Sequence, residues 1–233
     1  MTTAAIVPAA GRGERLGDGG PKALRSLGGV PMLVHAVRAL AAATGVDRVV
    51  VAAPADRVEE TRRLLAGEHA GAALDVVAGG ATRMASVDAA LSVLPEEVTT
   101  VLVHDAARPL APVALVETVA DVVRGGADAV VPVLPVVDTV KQVDGDVVTA
   151  TVDRSRLRAV QTPQGFRREV LERAHRQHDA AGPDVTDDAG MVERLGLRVV
   201  VVPGHEEAFK VTRPLDLLLA EAVLARREAV DAR

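Results

Sequence analysis

Short runs rich in valine and alanine alternate along this chain with segments whose apolar residues recur at helical spacing. Residues 4–8 and 48–53 are typical of short buried strands, and residues 31–43 of a helix with Leu33 and Val37 on one face. This β-α-β-α order favours a mostly parallel sheet with helices on both faces. Further strands are predicted over 74–78, 100–103, 129–133 and 198–202, and further helices over 56–66, 82–94, 113–123, 167–177, 187–195 and 214–228.

The alternation breaks once, between residues 140 and 151, where two short strand-like runs flank Asp144-Gly145. That dipeptide favours a β-hairpin. In a parallel α/β chain such a hairpin either projects as an arm, here over residues 137–156, or lies along a sheet edge, and spacing alone leaves both open. Since the sequence has no repeat and no linker, we predict a single α/β domain over residues 1–233 that carries this hairpin.

Composition excludes several classes of protein. Apolar residues make up 48% and charged residues 25% of the chain, so it is neither disordered nor fibrous. No apolar run reaches the roughly 18 residues that span a bilayer, and no secretory signal is visible, so we expect no membrane partner. A net charge of −5 and only two aromatic residues, Phe166 and Phe209, argue against nucleic-acid binding. The absence of cysteine fits a reducing cytoplasm.

Lysine is rare among the cations of this chain. Of 27 basic residues only Lys22, Lys141 and Lys210 are lysines, which leaves 24 arginines (27 − 3). Because a guanidinium does not imitate a compact ammonium, a lysine retained in an arginine-rich chain is a candidate for a specific role. Chance is the alternative explanation for each of the three.

The first candidate site follows the first predicted strand. Residues 8–17 read P-A-A-G-R-G-E-R-L-G, and Lys22 comes shortly after them. Small residues let backbone N–H groups approach phosphates, and Arg12, Arg15 and Lys22 add positive charge, so this stretch favours a polyphosphate ligand. Its glycine spacing matches neither the dinucleotide fingerprint nor the Walker pattern. A plain structural loop is the alternative.

Two further polar clusters follow strands. Residues 79–86 contain paired glycines, Arg83 and Ser86 at the predicted start of a helix, where amide groups bind anions. A turn with an N-cap is the alternative there. Residues 104–109 read H-D-A-A-R-P, whose Asp and Arg suit substrate hydroxyls and phosphate. A local ion pair is the alternative for those two, and we expect His104 to be structural.

The second half of the chain carries another group of cations. Arg154, Arg156 and Arg158 alternate, so an extended segment would place all three on one side, and Lys210 precedes the last predicted helix. Such a group of cations is suited to bind the phosphate of a second substrate. The alternative is that these residues form a solvent-exposed edge of the protein. The T-D-D sequence at 186–188 is expected to be a capped helix start and not a metal site.

Two anion sites without an evident protein nucleophile indicate direct transfer between two phosphorylated substrates. A phosphate oxygen of one substrate would attack the α-phosphorus of a nucleoside triphosphate and expel pyrophosphate. Catalysis would consist of positioning and charge stabilisation. We expect Mg²⁺ or another divalent cation, with no metal site built by the protein and the ion held mainly by the triphosphate.

A series of motifs resembles that of the 2-C-methyl-D-erythritol 4-phosphate cytidylyltransferases. In chain order they are P-A-A-G-x-G-x-R with P-K, G-G-x-x-R-x-x-S-V, H-D-A-A-R-P, D-T-x-K, V-D-R, T-P-Q and K-V-T-R-P-x-D, from Ile6 to about Leu217. The resemblance implies a Rossmann-like nucleotidyltransferase sheet. It also implies that CTP and methylerythritol phosphate, a phosphorylated polyol, give the CDP-alcohol and pyrophosphate in non-mevalonate isoprenoid biosynthesis.

By matching position, the resemblance also implies roles for individual residues. Arg15 and Lys22 would stabilise the transition-state charge, while Arg154 and Lys210 would position the attacking phosphate. The other implied residues are Ala9, Ala10, Gly11, Gly13, Gly80, Arg83 and Ser86 for the nucleotide, and Asp105, Arg108, Thr139 and Thr162 for the acceptor. The family is a homodimer whose hairpin arm reaches the partner's site, which would place Thr139 and Arg154 in trans.

Two positions depart from the family pattern, since Ala23 replaces a common Gln and Ala81 replaces a common Asp or Asn. We expect a stand-alone enzyme and not a fusion with the next enzyme of the pathway. A cytidylyltransferase that uses ribitol 5-phosphate stays open as an alternative, as does a nucleotide-sensing module without catalysis. A nicotinamide oxidoreductase is disfavoured because no acidic residue ends the second predicted strand.

Overall fold

The computed structural model describes residues 2–11, 21–178 and 185–231, and its first strand shows how the chain is layered. Along that strand Ala5 and Val7 belong to one buried core, and Ala4 and Ile6 belong to another. Successive side chains of a strand point to opposite faces of the sheet. Both faces of the central sheet are therefore covered, as the alternation of strands and helices predicts.

The predicted helices and strands lie close to their expected positions, and four short strands are present that were not predicted, β2, β3, β10 and β11. The strands are β1 (Thr2–Pro8), β2 (Ser26–Leu27), β3 (Val30–Pro31), β4 (Arg48–Ala53), β5 (Ala73–Ala78), β6 (Val98–Val103), β7 (Ala129–Pro135), β8 (Val140–Asp144), β9 (Val147–Val152), β10 (Arg158–Val160), β11 (Gln164–Arg167) and β12 (Val199–Pro203). The helices are α1 (Met32–Ala41), α2 (Val58–Leu64), α3 (Arg83–Leu91), α4 (Val113–Arg124), α5 (Arg168–Gln177), α6 (Asp188–Arg194) and α7 (Pro214–Asp231).

The helices divide between the two faces of the sheet. Helices α1, α2 and α4 pack on the core that contains Ala5, and α3, α5 and α6 pack on the core that contains Ile6. Helix α7 covers a smaller cluster around Leu27, Met32 and Leu110. No helix in the described ranges is both long enough and apolar enough to cross a membrane.

The order and direction of the strands place several loops at the carboxyl end of the sheet. The order is β10-β7-β11-β6-β1-β4-β5, and β12 also pairs with β7. Strand β1 runs parallel to β4 and β6, and β4 runs parallel to β5. The carboxyl ends of β1, β5 and β6 therefore lie at the same end of the sheet, beyond which open parallel sheets bind their ligands. The prediction of a mostly parallel α/β sheet is confirmed.

Among the strands that the periodicity did not predict, β10 and β11 join the main sheet. Both run antiparallel to β7, and β11 lies between β7 and β6. Glycine at position 165 permits this arrangement. A Cβ atom at Gly165 would lie 2.6 Å from Cγ1 of Val119 and 2.8 Å from Cγ2 of Val123 on α4. Helix α4 thus packs against the backbone of β11, where any larger side chain would collide with it.

The predicted hairpin forms a separate two-stranded sheet from β8 and β9. Its loop is Gly145-Asp146, with Gly145 at a φ of 59°, a conformation that favours glycine. Nearly all of its side chains are exposed, and apolar ones are among them. The hairpin is therefore an arm with unburied valines, and not part of the main sheet.

The expectation of one extended segment carrying Arg154, Arg156 and Arg158 is wrong. Residues Arg154–Arg156 form a single turn of 3-10 helix, and Arg158 begins β10. The reason is local, because the Asp153 side chain accepts a hydrogen bond from the backbone N–H of Ser155 at 3.0 Å and starts the turn.

Candidate active site

The loops after β1 and β5 meet at the carboxyl edge of the sheet. The backbone N–H of Ala9 donates to the carbonyl of Ala52 at 2.8 Å, which ties the first loop to β4. Gly79 begins the second loop, and a Cβ atom there would lie 2.7 Å from Cβ of Ala10 and 2.9 Å from Oγ of Ser86. The two loops can approach each other this closely only because residue 79 has no side chain.

The N-cap expected as an alternative at residues 79–86 is present. The Thr82 side chain accepts a hydrogen bond from the backbone N–H of Ala85 at 3.0 Å and begins α3. The Ser86 hydroxyl donates to the carbonyl of Thr82 at 2.9 Å and accepts from the backbone N–H of Gly80 at 3.2 Å. The same residues also face the cavity described next, so capping and ligand binding are compatible here.

A cavity of about 350 Å³ opens between these loops and the loop after β6. Its walls combine small residues with a few charged ones. They are Pro8, Ala9, Ala10, Gly11, Lys22, Ala23, Gly80, Ala81, Thr82, Arg83, Ser86, Asp105, Ala106, Ala107 and Lys210. Most of the residues predicted for the nucleotide, together with two predicted catalytic lysines, thus face one space.

The two lysines reach the cavity from opposite ends of the chain. Lys22 lies in a single 3-10 turn over Lys22–Leu24, and Lys210 follows the last strand and precedes α7. Three other residues of the first motif, Arg12, Gly13 and Arg15, lie outside the described residues. Among the residues described, Lys22, Lys210 and Arg83 supply the positive charge of the cavity wall.

Asp105 is the one carboxylate that the described residues contribute to the cavity wall. Its Oδ2 atom lies 2.8 Å from Nζ of Lys210, and its Oδ1 atom lies 3.4 Å from Nε of Arg83. Burial alone would raise the pKa of Asp105, but the charges of Arg83 and Lys210 outweigh it and hold that pKa well below its ordinary value. The Asp105 side chain is therefore an anion that organises these two cations, and its Oδ2 atom also lies 3.9 Å from Nε of Arg108, the local ion pair expected as the alternative.

A hydrogen-bond relay fixes the backbone of Asp105. The backbone N–H of Asp105 donates to Oγ1 of Thr162 at 3.0 Å, and that hydroxyl lies 3.2 Å from Nδ1 of His104. Because Nε2 of His104 faces the carbonyl of Arg108 at 3.1 Å, it must carry the ring proton, and Nδ1 then accepts from Thr162. Burial lowers the pKa of His104 to about 4, which keeps the ring neutral.

Thr162 is therefore buried behind the loop and is absent from the cavity wall. Arg108 is also turned away from the cavity. Its Nη1 atom donates to the carbonyl of Ala208 at 2.7 Å and its Nη2 atom to the carbonyl of Val160 at 3.2 Å. Arg108 thus ties the loop after β6 to the segment that leads to Lys210.

Asp188 is a functional candidate that the sequence analysis missed. The expected helix cap is supplied by Asp187, whose side chain accepts from the backbone N–H of Gly190 at 3.0 Å. Asp188 is instead fully buried, with Oδ2 at 2.5 Å from Nη1 of Arg83 and Oδ1 at 3.0 Å from Nε2 of His175. The one hint in the sequence is the pair of adjacent acids at the predicted helix start. A single acid is enough to cap the helix, so the second acid was available for another role.

The two residues predicted on the arm lie outside this cavity within the chain. Thr139 is exposed at the start of the arm, and Arg154 lies at its end, where it donates to the carbonyl of Val137. Arg154 and Arg158 line a different and more open depression at the base of the arm. The single chain therefore does not bring Arg154 together with Lys210.

Comparison with known proteins gives one consistent result. The family described as IspD, 2-C-methyl-D-erythritol 4-phosphate cytidylyltransferase, matches residues 3–226. The enzyme of that name from Streptomyces coelicolor is 61% identical, with 98% of this chain and 87% of the relative covered.

Solved structures agree with the sequence comparison. The 2-C-methyl-D-erythritol 4-phosphate cytidylyltransferase of Thermus thermophilus superposes with a TM-score of 0.77 at 38% identity, covering 96% of this chain and 98% of that one. The 4-diphosphocytidyl-2C-methyl-D-erythritol synthase of Anaerococcus prevotii superposes with a TM-score of 0.83 at 27% identity, with the same coverage.

Proposed function

Because the chain belongs to the 2-C-methyl-D-erythritol 4-phosphate cytidylyltransferase family, we propose that the cavity at the carboxyl ends of β1, β5 and β6 is its active site. The enzyme joins CTP to 2-C-methyl-D-erythritol 4-phosphate and releases pyrophosphate. The product is 4-diphosphocytidyl-2-C-methyl-D-erythritol, an intermediate of non-mevalonate isoprenoid biosynthesis. The chain is thus a nucleotidyltransferase.

The transfer proceeds directly between the two substrates. A phosphate oxygen of the acceptor attacks the α-phosphorus of CTP, and a new P–O bond forms. The bond from that phosphorus to the bridging oxygen breaks, and pyrophosphate leaves with the electron pair. Because both reactants are anions, the protein has to bring them together and stabilise the charge on the phosphoryl oxygens and the leaving group. Lys22 and Lys210, which face one cavity, support this role, and Arg15 joins them by motif position.

The nucleotide lies between the loops after β1 and β5. Small residues on both loops leave room for phosphates beside backbone N–H groups, which bind anions in such turns. Ser86 and Arg83 add a hydroxyl and a positive charge at the start of α3. The residues assigned to CTP are Ala9, Ala10, Gly11, Gly13, Gly80, Arg83 and Ser86.

The acceptor lies on the side of Asp105 and Lys210. The ionised carboxylate of Asp105 is suited to accept hydrogen bonds from polyol hydroxyls, and Lys210 is suited to the attacking phosphate. Thr162 and Arg108 support this side through the backbone, since the first holds the N–H of Asp105 and the second holds the segment before Lys210. Their assignment to the acceptor is thus indirect.

A second copy of the chain completes the acceptor side. The arm exposes three valines to solvent, namely Val143 (58%), Val147 (62%) and Val148 (54%). Exposed apolar surface is unfavourable in water, and contact with another protein surface would bury it. The arm carries Thr139 and Arg154, which lie outside the cavity of their own chain. A homodimer in which each arm reaches the partner's cavity accounts for both observations.

A divalent cation, with Mg²⁺ as the first choice, fits the residues that are present. In the described part of the chain no group of three or more His, Asp or Glu side chains is arranged to hold a metal, and Asp105 is the carboxylate of the cavity wall. Mg²⁺ commonly binds through one or two carboxylates and substrate phosphates. When bound, the ion neutralises phosphate charge. We also propose a cytoplasmic location, which the lack of cysteine supports.

The observation that carries this assignment is the convergence of Lys22, Arg83, Asp105 and Lys210 on one cavity. The test is to incubate the purified chain with CTP, Mg²⁺ and either methylerythritol phosphate or ribitol 5-phosphate and to measure pyrophosphate. We expect release with methylerythritol phosphate and little with the pentitol. Preference for the pentitol, or release that survives the loss of both cavity lysines in the double variant Lys22→Ala, Lys210→Ala, would contradict the proposal.

A further inference from the structure

We infer that His175, which lies outside the cavity, is a positioning residue for the nucleotide side of the site and acts through Asp188 on Arg83. The inference rests on the proposed function, in which Arg83 contacts the nucleotide. A continuous line of charged contacts leads from helices α5 and α6 to the cavity wall.

The line crosses three helices. His175 on α5 places Nε2 at 3.0 Å from Oδ1 of Asp188 on α6. The other oxygen of Asp188 lies 2.5 Å from Nη1 of Arg83 on α3. Arg83 in turn places Nε at 3.4 Å from Oδ1 of Asp105 in the cavity. The side chains of Asp188 and His175 are 0% and 3% exposed, so solvent does not replace these partners.

The role of His175 follows from the way the two oxygens of Asp188 have different partners, His175 for one and Arg83 for the other. Asp188 is an anion, because a hydrogen bond from His175 and the charge of Arg83 outweigh the effect of burial and hold its pKa below the ordinary value. Each oxygen has its own cationic or polar partner. Without His175, the carboxylate would be free to rotate and pair with the planar Arg83 fork through both oxygens. The Arg83 guanidinium would then shift relative to the cavity.

His175 is itself held at both ring nitrogens. Its Nδ1 atom lies 2.6 Å from Oδ1 of Asp88, which is on α3, five residues after Arg83. The ring is thus clamped between α3 and α6 and cannot turn without losing one carboxylate. The competing explanation is that this cluster only holds three helices together, in which case its loss would lower stability and leave nucleotide binding unchanged.

A double-mutant cycle separates the two explanations. The variants are His175→Ala, Arg83→Ala and the double variant, with His175→Gln as the conservative change that keeps a donor toward Asp188. CTP dissociation constants from calorimetry and the kcat and KM for CTP are measured for each. We expect His175→Ala to raise the Kd and KM for CTP about 10-fold while kcat changes about 2-fold or less, a fraction of what loss of a charge-assisted hydrogen bond costs.

His175→Gln is expected to recover most of the affinity, and His175→Ala is expected to have no further effect once Arg83 is alanine. His35→Ala is the matched control, because that histidine bonds the carbonyl of Leu27 at 2.9 Å, away from the cavity. The inference would be overturned if His175→Ala weakened CTP binding equally in the wild-type and Arg83→Ala backgrounds. A lower Tm with an unchanged Kd for CTP would overturn it as well. A wild-type chain that binds CTP but releases no pyrophosphate would instead count against the proposed function, and the Kd cycle would still decide the role of His175.

Discussion

The Nζ atom of Lys210 lies 2.8 Å from Oδ2 of Asp105, so the cavity wall holds an anion and its counter-ion side by side. In the proposed function, an acceptor phosphate bound there would share Lys210 with Asp105, and the acceptor's hydroxyl groups would donate hydrogen bonds to the carboxylate beside it. The pair thus suits a ligand that carries both a phosphate and several hydroxyl groups.

Replacing Lys210 with alanine is expected to separate catalysis from nucleotide binding. The variant removes the charge assigned to the attacking phosphate, so kcat should fall on the order of 10²–10³-fold, while the Kd for CTP should change little. Pyrophosphate release and calorimetry give the two quantities. Arg63→Ala is the control, since that exposed arginine on α2 bonds the carbonyl of Glu59, away from the cavity. Unchanged turnover in Lys210→Ala would contradict the role assigned to Lys210.

Lys22→Ala tests the other cation of the cavity. We expect kcat to fall by about 10²–10³-fold because transition-state charge loses a donor, with only a small decrease in Tm. Lys22→Arg should rescue poorly, since a planar guanidinium does not replace a compact ammonium. Extensive unfolding of Lys22→Ala by circular dichroism would instead assign the residue to the structure of the loop.

The proposed arm exchange has a direct test by mixing two inactive variants. A mixed dimer of Arg154→Ala and Lys210→Ala chains has one site with Lys210 from one chain and Arg154 from the other. After random exchange about half of the dimers are mixed, so activity should return to about one quarter of the wild-type value. If Arg154 acts within its own chain, no site is intact in the mixture and activity stays at the level of the single variants.

Burial of His104 predicts a pH dependence of stability. The folded-state pKa is about 4 against 6.5 for a free side chain, so the unfolded chain binds an extra proton between these values. The stability associated with the neutral ring is complete above about pH 6.5 and is lost as the pH falls toward 4, by up to about 3 kcal/mol. Urea unfolding of wild type and His104→Gln at several pH values measures the difference. Parallel pH profiles for the two proteins would contradict this origin.

Gly165→Ala tests the close packing of α4 on β11. The added methyl would collide with Val119 and Val123, so the free energy of unfolding should fall by about 1–3 kcal/mol. Shortening the neighbour in the double variant Gly165→Ala, Val119→Ala should recover part of that loss relative to Val119→Ala alone. Strictly additive effects in chemical denaturation would show that the contact with Val119 is not the cause.

Local pattern was sufficient for most of the fold because the strands of a parallel sheet are apolar runs and the helices have one apolar face. It was insufficient for β10 and β11. These strands have three and four residues, contain or flank Gln, Gly and Thr, and form only because β7 and β6 offer them partners. The local sequence does not determine which distant segments pair with each other.

The site shows the same limit. Small residues and cations after strands marked the loops that meet at the cavity, since chain topology alone brings such loops to one edge. The role of Asp188 was not visible, because its partners Arg83 and His175 come from α3 and α5 and meet it only through tertiary packing. The backbone roles of Thr162 and Arg108 were hidden for the same reason.

The position of β11 between β6 and β7 has a consequence for synthesis of the chain. The free edge of β6 acquires its neighbour only when Gln164–Arg167 has left the ribosome, long after β1, β4 and β5 are available to pair. Lys210 arrives later still. A nascent chain that stops before these segments holds an incomplete sheet with an open apolar edge and an incomplete cavity wall, and such a species is prone to aggregate.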